Sequence, residues 1–235
     1  MQPTILFEDL NILVLDKPSG WVVNDAETTR NQITLQAWLS KKNYPLAPSR
    51  EFRSGIVHRL DKETSGVLVV AKTKEAFEFL QSEFKKRRVE KAYIALLHGK
   101  VVPVEGKINL NLGRLPWNRK RFGVLPGGRS SESSYKVVGF YKNDRDNFSL
   151  VNFFPKTGRT HQIRVHAKYI GHPVVSDELY AGRKTSRPDR LWCPRLFLHA
   201  CRLKIRNPGN YKYQTFESGL PDDIKISLAT LVRSS

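Results

Sequence analysis

The chain has 235 residues, of which 40% are hydrophobic and 10% aromatic, so it is long enough to bury a core as one large domain. Its 40 Lys and Arg residues oppose 22 Asp and Glu residues, and the formal net charge of +18 favours a polyanionic partner, RNA or DNA before an anionic membrane surface. The two cysteines form no CxxC pair, which excludes a disulfide framework and a structural zinc site of that kind and fits a reducing cytoplasm.

The N-terminal segment predicts neither an export signal nor a membrane anchor. MQPTILFEDL carries Glu8 and Asp9 and lacks the basic start of a signal peptide. The longest apolar runs are far too short to span a bilayer. We therefore expect a cytoplasmic protein.

The first third of the chain alternates predicted strands and turns. Residues 5–16 end in the strand-like ILVLD, KPSG at 17–20 predicts a turn, and residues 21–23 predict a resumed strand. Helical spacing of apolar residues predicts a helix within 33–42, and residues 43–54 predict a loop.

A polar turn follows at residues 55–72, GIVHRLDKETSGVLVVAK. It holds one histidine, basic residues and two carboxylates between predicted strands at 56–57 and 67–70. Polar side chains held between buried strands are well placed for chemistry, and Asp61 is the candidate reacting group.

The segment after residue 72 predicts a helix. Thr73 is a suitable N-cap, and Phe77, Leu80 and Phe84 fall on one face. The helix ends in four consecutive basic residues, Lys85, Lys86, Arg87 and Arg88. Four exceed what the helix dipole alone would favour, so we expect a phosphate-facing patch.

From residue 89 the pattern is mostly that of strands, predicted at 93–97, 107–112, 135–141 and 148–154. Between them lies GRLPWNRKRFGVLPGGRSS, at 113–131, with basic residues interleaved with Trp117 and Phe122. Such a loop suits contact with an RNA backbone and stacking on bases, although an ordinary flexible hairpin loop has a similar composition. Its candidate RNA contacts are Arg114, Arg119, Lys120 and Arg121.

The last third predicts a helix at 160–170 capped by Thr160, a second basic loop at 182–190, a strand at 196–205 and an amphipathic helix at 221–232. Together the elements predict a single mixed α/β domain over residues 1–235, dominated by antiparallel pairs.

Residue types and spacing leave the chemistry open. Asp61 could serve as nucleophile, general base or salt-bridge partner, and its residue type alone favours the salt bridge. Asp61 and Glu63 are too close in sequence for a glycosidase pair. His58, His161 and His166 lack metal-ligand spacing, and neither a P-loop nor a GxGxxG motif is present, so no metal and no cofactor are expected.

The segment HRLDKETSGVLVVAKT, residues 58–73, closely resembles the signature of the RluA-type pseudouridine synthases, which isomerise uridine in RNA to its C-glycoside. Four further segments match in the same order, over roughly residues 5–206: LVLDKPSGWVV, KAYIALLHG, PKTGRTHQIRVHAKYIGHPVVSDELYAG and LFLHACRL. The resemblance implies an α+β fold, the pseudouridine synthase core, with a mixed, largely antiparallel sheet, flanking helices and a central active-site cleft.

The resemblance also implies roles for individual residues. Asp61 matches the catalytic aspartate, Tyr93 the tyrosine that stacks on the target base, and Arg164 the arginine that pairs with the aspartate. Arg59 matches the arginine that enters the RNA stack when the uridine leaves. His58 and Arg159 belong to the matched motifs, and we expect both to contact RNA.

The implied mechanism begins with a uridine flipped against Tyr93. Asp61 then drives cleavage of the N1–C1′ bond by attacking C1′, by adding to C6 of the ring, or by removing the 2′ proton. The base rotates, C5 bonds to C1′ and a proton leaves C5. The implied substrate is a structured stem-loop of ribosomal or transfer RNA.

Many relatives carry an additional S4 RNA-binding domain, whereas this sequence starts in the catalytic domain, and a monomer is expected. The charge alone would also fit a non-catalytic RNA-binding or RNA-chaperone protein. A third hypothesis is a nucleoside glycosidase or a base-repair enzyme.

Overall fold

The computed structural model describes residues 1–29 and 32–234, which contain eleven β-strands and five α-helices. The strands are β1 (Thr4–Glu8), β2 (Ile12–Lys17), β3 (Ser65–Ala71), β4 (Glu90–His98), β5 (Glu105–Leu115), β6 (Asn118–Val124), β7 (Arg129–Lys142), β8 (Asn147–Pro155), β9 (Leu198–Arg206), β10 (Tyr213–Glu217) and β11 (Val232–Ser234). The helices are α1 (Leu35–Leu39), α2 (Lys74–Lys85), α3 (Gln162–Tyr169), α4 (Arg183–Asp189) and α5 (Asp222–Ala229).

The chain divides into two compact units. Unit 1 comprises residues 1–91 and 200–219, and unit 2 comprises residues 92–199 together with the chain from residue 220 onward.

In unit 1 the strand order is β1-β2-β3-β9, with β10 antiparallel to β9. β2 pairs with β3 in an antiparallel register that joins Ile12 to Ala71 and Lys17 to Gly66. Every residue of β3 is buried, which explains its continuous run of small and apolar side chains. Thr73 caps α2 as predicted, because its hydroxyl accepts the Ala76 amide hydrogen at 3.2 Å.

In unit 2 the strand order is β4-β8-β7-β5-β6, and β11 pairs with β7. The ladders described within this unit are antiparallel. Its core contains Leu96, Val151 and Phe153 from the strands, and Ile163 and Ala167 from α3. The predicted α+β class with a largely antiparallel sheet and flanking helices is therefore confirmed.

Two predicted loops have regular structure, so those predictions were wrong. Residues 113–131 contain the end of β5, all of β6 and the start of β7. β6 lacks an alternation of buried and exposed side chains, and its composition therefore gave no strand signal. Residues 183–189 form α4.

Three local predictions also need correction. The helix at 160–170 begins at Gln162, because His161 adopts a left-handed φ of 56° and occupies the N-cap position predicted for Thr160. The predicted strands at 21–23 and 56–57 amount to isolated bridges at Val22 and Ile56. The predicted helix at 221–232 ends at Ala229, and Val232 starts β11.

None of the helices in the described part of the chain is long and apolar enough to cross a lipid bilayer.

Candidate active site

The segment that carries Asp61 is irregular, and a buried lysine ties down its backbone. The Lys17 side chain is fully buried, at 0% exposure, at the end of β2. Its ammonium donates hydrogen bonds to the carbonyl oxygens of Pro18 at 3.0 Å, Trp21 at 3.1 Å and Lys62 at 3.3 Å. Because Lys62 directly follows Asp61, the ammonium fixes the chain immediately after the candidate catalytic carboxylate.

The turn that follows Lys17 makes two further contacts with the same segment. The Gly20 amide donates to the Lys62 carbonyl at 2.8 Å, and the Ser19 hydroxyl donates to the Glu63 carbonyl at 2.8 Å. Asp61 itself is half-buried. The KPSG turn at 17–20 therefore acts as a clamp on the backbone at 62–63. This clamp restricts the movement of the neighbouring Asp61 backbone.

His58 fixes the other side of the Asp61 segment. Its Nε2 atom accepts the Val69 amide hydrogen at 3.0 Å, and its ring stacks on Phe84 with 4.8 Å between ring centroids. Burial, with a smaller contribution from the charge of Lys91, lowers the pKa of His58 to about 3. The ring is therefore neutral near pH 7 and carries its proton on Nδ1, since Nε2 serves as the acceptor.

Arg59 lies between His58 and Asp61 in the sequence, and its side chain is exposed. A residue that enters an RNA stack must be exposed. The contacts of His58 within unit 1 give it a structural role. Its predicted contact with RNA stays a prediction.

Tyr93 lies on β4, directly opposite Phe153 of β8 in the antiparallel register. Its side chain is half-buried and packs against the core of unit 2. An aromatic ring on a central, paired strand has little freedom to move, as a wall for a stacked base requires.

Arg164 projects from α3 and is almost completely buried, at 7% exposure. Asp177 binds its guanidinium in a bidentate ion pair, with Nε–Oδ2 and Nη2–Oδ1 distances of 2.7 Å. Asp177 is fully buried and also accepts the amide hydrogens of Leu179 and Tyr180, each at 3.1 Å. The guanidinium is thus held in one orientation. Its predicted pairing with Asp61 stays a prediction.

The four basic residues after α2 are all exposed. Arg88 pairs with the nearly buried carboxylate of Glu83 at 3.2 Å, and Arg87 adopts a left-handed φ of 59°. Lys85 and Lys86 lie at the last residue and the C-cap of the helix. Their side chains are accessible to a polyanion, as the predicted phosphate-facing patch requires.

The β5–β6 hairpin, residues 105–124, presents the second predicted RNA surface, and we call residues 113–124 the basic hairpin. Arg114, Arg119 and Lys120 are exposed, and Trp117 at the turn is 76% exposed. The Arg114 guanidinium lies over the Phe122 ring, at 5.1 Å from the ring centroid. Cations and an exposed aromatic side chain thus share a paired ribbon.

Arg159 lies just before α3 and is half-buried. Its Nε donates to the Ser130 carbonyl at 3.1 Å. The predicted RNA contact of Arg159 stays a prediction.

His166 is a core histidine of unit 2, at 0% exposure. Ser131 donates its hydroxyl hydrogen to the Leu110 carbonyl, so His166 donates through Nε2 to the Ser131 oxygen at 2.9 Å. Its Nδ1 atom is then a buried acceptor without a hydrogen-bond partner. Burial lowers the pKa of His166 to about 4.

The described residues contain no group of three or more His, Cys, Asp and Glu side chains arranged to hold a metal ion. The expected absence of a metal or cofactor requirement stays a prediction.

Sequence reasoning missed three residues that hold candidate residues in place: Lys17 in unit 1, and Asp177 and Tyr180 in unit 2. Lys17 belongs to the matched segment LVLDKPSGWVV but was interpreted only as part of a turn signal. Asp177 and Tyr180 lie in the matched segment VVSDELYAG. A buried ammonium and a buried carboxylate leave no trace in a hydrophobic pattern, so only the motif matches could have indicated them.

The comparison with protein families matches residues 11–169 to the RNA pseudouridylate synthase family, a range that contains Asp61, Tyr93 and Arg164. An uncharacterized RNA pseudouridine synthase of Chloroflexus aurantiacus is 38% identical over 217 residues, which cover 92% of this chain and 65% of that protein. The ribosomal large subunit pseudouridine synthase D of Pseudomonas aeruginosa is 37% identical over 240 residues, which cover 97% of this chain and 71% of that protein.

Among solved structures, human RNA pseudouridylate synthase domain containing 1 superposes with a TM-score of 0.74 at 31% identity, covering 99% of this chain and 89% of that one. The chain spans less than two thirds of the length of several curated relatives, including 65% for the Chloroflexus protein and 64% for a Nitrosomonas europaea protein named ribosomal large subunit pseudouridine synthase D. The motifs, the fold and these matches agree, and the chain belongs to the RNA pseudouridylate synthase family, of the RluA type that its sequence predicted.

Proposed function

We propose that the protein isomerises uridine in RNA to pseudouridine, with Asp61 as the reacting carboxylate. The observation that carries the proposal is the family match over residues 11–169, which includes Asp61, Tyr93 and Arg164 within their motifs. The rigid mounting of each residue supports the roles. Asp61 directly precedes the anchored backbone at 62–63, Tyr93 lies on a paired strand, and Arg164 is held by a buried carboxylate.

In this proposal Tyr93 forms one wall of the pocket for the flipped uridine, and Arg164 keeps Asp61 ionised and oriented. The exposed Arg59 fills the space that the uridine leaves in the RNA stack. The protein supplies a nucleophile or base, a stacking surface and a fixed positive charge. The N1–C1′ bond is replaced by a C5–C1′ bond, C5 loses its proton to water, and N1 gains one.

The names of the relatives support a proposal for the class of RNA substrate. Several are named as ribosomal large subunit pseudouridine synthases, so we propose a structured stem-loop of large-subunit ribosomal RNA as the first candidate and transfer RNA as the second. The net charge of +18 and the exposed basic residues at 85–88 and on the basic hairpin support a polyanionic substrate.

A cytoplasmic location and a monomeric state belong to the same proposal. Both cysteines, Cys193 and Cys201, are free thiols, as a reducing compartment would keep them. Light scattering coupled to size exclusion would test the monomer.

The test uses unmodified transcripts of bacterial large-subunit ribosomal RNA and of transfer RNAs, labelled with tritium at C5 of uridine. Isomerisation releases the C5 tritium into water. We expect release by the wild-type protein and a loss of roughly a thousandfold or more in Asp61→Asn, which keeps the size of the side chain but removes its charge. The matched control is Asp144→Asn, because Asp144 is an exposed carboxylate on a surface turn.

The outcomes separate the candidate functions. Equal tritium release by the wild type and Asp61→Asn would refute the catalytic role of Asp61. Salt-sensitive RNA binding without any release would support a non-catalytic RNA-binding protein. Free uracil in the supernatant would identify a glycosidase.

A further inference from the structure

Tyr180 lies at the centre of a small cluster that joins the basic hairpin to α3. The residue is 3% exposed and packs with Leu112 of β5 and Val165 of α3. Phe122 of β6 packs against the same cluster. The tyrosine thus contacts an element that carries predicted RNA-binding residues and the helix that carries Arg164.

The hydroxyl of Tyr180 makes two hydrogen bonds that cross between these elements. It accepts the amide hydrogen of Phe122 at 3.1 Å. It also lies 2.9 Å from Nδ1 of His161, the N-cap residue of α3. A buried hydroxyl is costly unless it is bonded, so both contacts restrict where the ring can lie.

The ring of Tyr180 is flanked by two guanidinium groups from the same two elements. The Cζ atom of Arg164 lies 5.0 Å from the ring centroid, and that of Arg121 lies 5.5 Å from it. Attraction between the aromatic ring and a cation is strongest when both are shielded from water, as Arg164 is. Asp177 binds the Arg164 guanidinium through two hydrogen bonds, and the ring supports the same group.

An ordinary core tyrosine needs only one partner for its hydroxyl and none for its ring. Here the hydroxyl and the ring have separate partners, and each has one on the β6 side and one on the α3 side. A displacement of the basic hairpin at Phe122 must therefore move the Tyr180 hydroxyl, and with it the ring on which Arg164 rests.

We propose that Tyr180 is a positioning residue that couples RNA contact on the basic hairpin to the orientation of Arg164. The inference rests on the proposed function, because it assumes that Arg164 serves the isomerisation. It assigns Tyr180 no contact with the uridine.

Two substitutions separate the hydroxyl from the ring. Tyr180→Phe keeps the ring beneath Arg164 and removes the hydroxyl's bonds to Phe122 of the hairpin and to His161. Tyr180→Leu removes both while keeping an apolar side chain in the core. Tyr169→Phe is the matched control, since Tyr169 is 60% exposed at the end of α3.

We expect Tyr180→Phe to raise the KM for a tritium-labelled large-subunit ribosomal RNA transcript about fivefold, the equivalent of the lost bond to the Phe122 amide, with kcat within twofold of wild type. Tyr180→Leu should in addition lower kcat about tenfold, because Arg164 loses its aromatic support. Tyr169→Phe should match the wild type in both constants.

A double-mutant cycle tests the coupling itself. Arg121→Ala should lower kcat in the wild-type background and have no further effect on kcat in Tyr180→Leu. A merely structural tyrosine would give independent effects that multiply, and that result would overturn the proposal. Circular dichroism of each variant would show that the folded fraction is unchanged.

A second measurement does not depend on activity. The Phe122 amide donates to the Tyr180 hydroxyl, so its hydrogen exchange, followed by NMR, should become about tenfold faster in Tyr180→Phe. Unchanged exchange would refute the connection. A wild-type protein that releases no tritium from any transcript would instead refute the proposed function, and the exchange result would still decide whether Tyr180 joins the two elements.

Discussion

An ammonium group withdrawn from water is costly unless its donors are paired, and the surroundings of Lys17 meet that need. Its three N–H donors face the carbonyl oxygens of Pro18, Trp21 and Lys62. The buried guanidinium of Arg164 is paired in the same way, because Asp177 binds it through two hydrogen bonds. At the scale of single residues, buried charges in each unit hold other groups in place.

Replacement of Lys17 by methionine tests this interpretation, since methionine fills a similar volume without the ammonium. We expect Lys17→Met to lower the free energy of unfolding by about 2–4 kcal/mol, because three partly buried hydrogen bonds to carbonyl oxygens are lost. Urea denaturation followed by circular dichroism would measure the change. The exposed Lys41→Met is the control, and a difference between the two variants below about 0.5 kcal/mol would contradict the proposed clamp.

At the scale of elements, the basic hairpin differs most from its predicted form. Its residues pair along β5 and β6, for example Leu112 with Val124 and Arg114 with Phe122. The composition predicted a flexible loop, whereas the backbone forms two paired strands. The basic side chains therefore project from a regular two-stranded ribbon. A rigid ribbon loses less conformational entropy on binding RNA than a flexible loop would.

Removal of two charges from the hairpin should weaken RNA binding and its dependence on salt. We expect the double variant Arg119→Ala/Lys120→Ala to lower the slope of log Kd against log salt by about 1–2, one unit or slightly less per lost phosphate contact. Filter binding to a large-subunit ribosomal RNA transcript over a range of salt concentrations measures the slope. Lys74→Ala/Lys225→Ala removes two exposed charges elsewhere, and an equal effect of both pairs would mean that only net charge matters.

At the scale of the whole molecule, buried neutral histidines set a pH dependence of stability. His58 and His166 have pKa values lowered from 6.5 to about 3 and about 4. In the unfolded chain both are protonated below about pH 6.5, whereas in the folded protein they stay neutral until the lower values are reached. The unfolded state therefore binds more protons in acid, and stability falls as the pH falls from 6.5 toward 4.

We expect each of these histidines to contribute up to about 1.4 kcal/mol of lost stability per pH unit within its window. His166→Gln keeps a donor for Ser131 but does not titrate, so its unfolding free energy should depend less steeply on pH between 6 and 4.5 than that of the wild type. Urea denaturation at constant ionic strength provides the comparison. Identical slopes for the two proteins would show that His166 does not control the acid response.

Much of the fold could be predicted because local patterns and tertiary structure agree. The apolar run at 67–70 and the helical face of Phe77 and Leu80 gave correct elements, since buried strands and amphipathic helices have distinctive periodicities. The start of α3 could not be predicted, because residue type and spacing do not indicate the left-handed conformation of His161 or its contact with the distant Tyr180. Arg164 was indicated by its motif, but its partner Asp177 was not.

The sequence by itself determined the family and the α+β class, and it predicts a polyanionic partner and the candidate catalytic residues. These depend on composition, periodicity and motifs, which are properties of the chain in order. The tertiary structure alone decided what holds the candidates in place: the Lys17 clamp beside Asp61, the contacts of His58, and the association of Arg164 with Asp177 and Tyr180. Each of these joins groups distant in sequence or buries a polar group, and the cost of burial without a partner selects them only once the chain has folded.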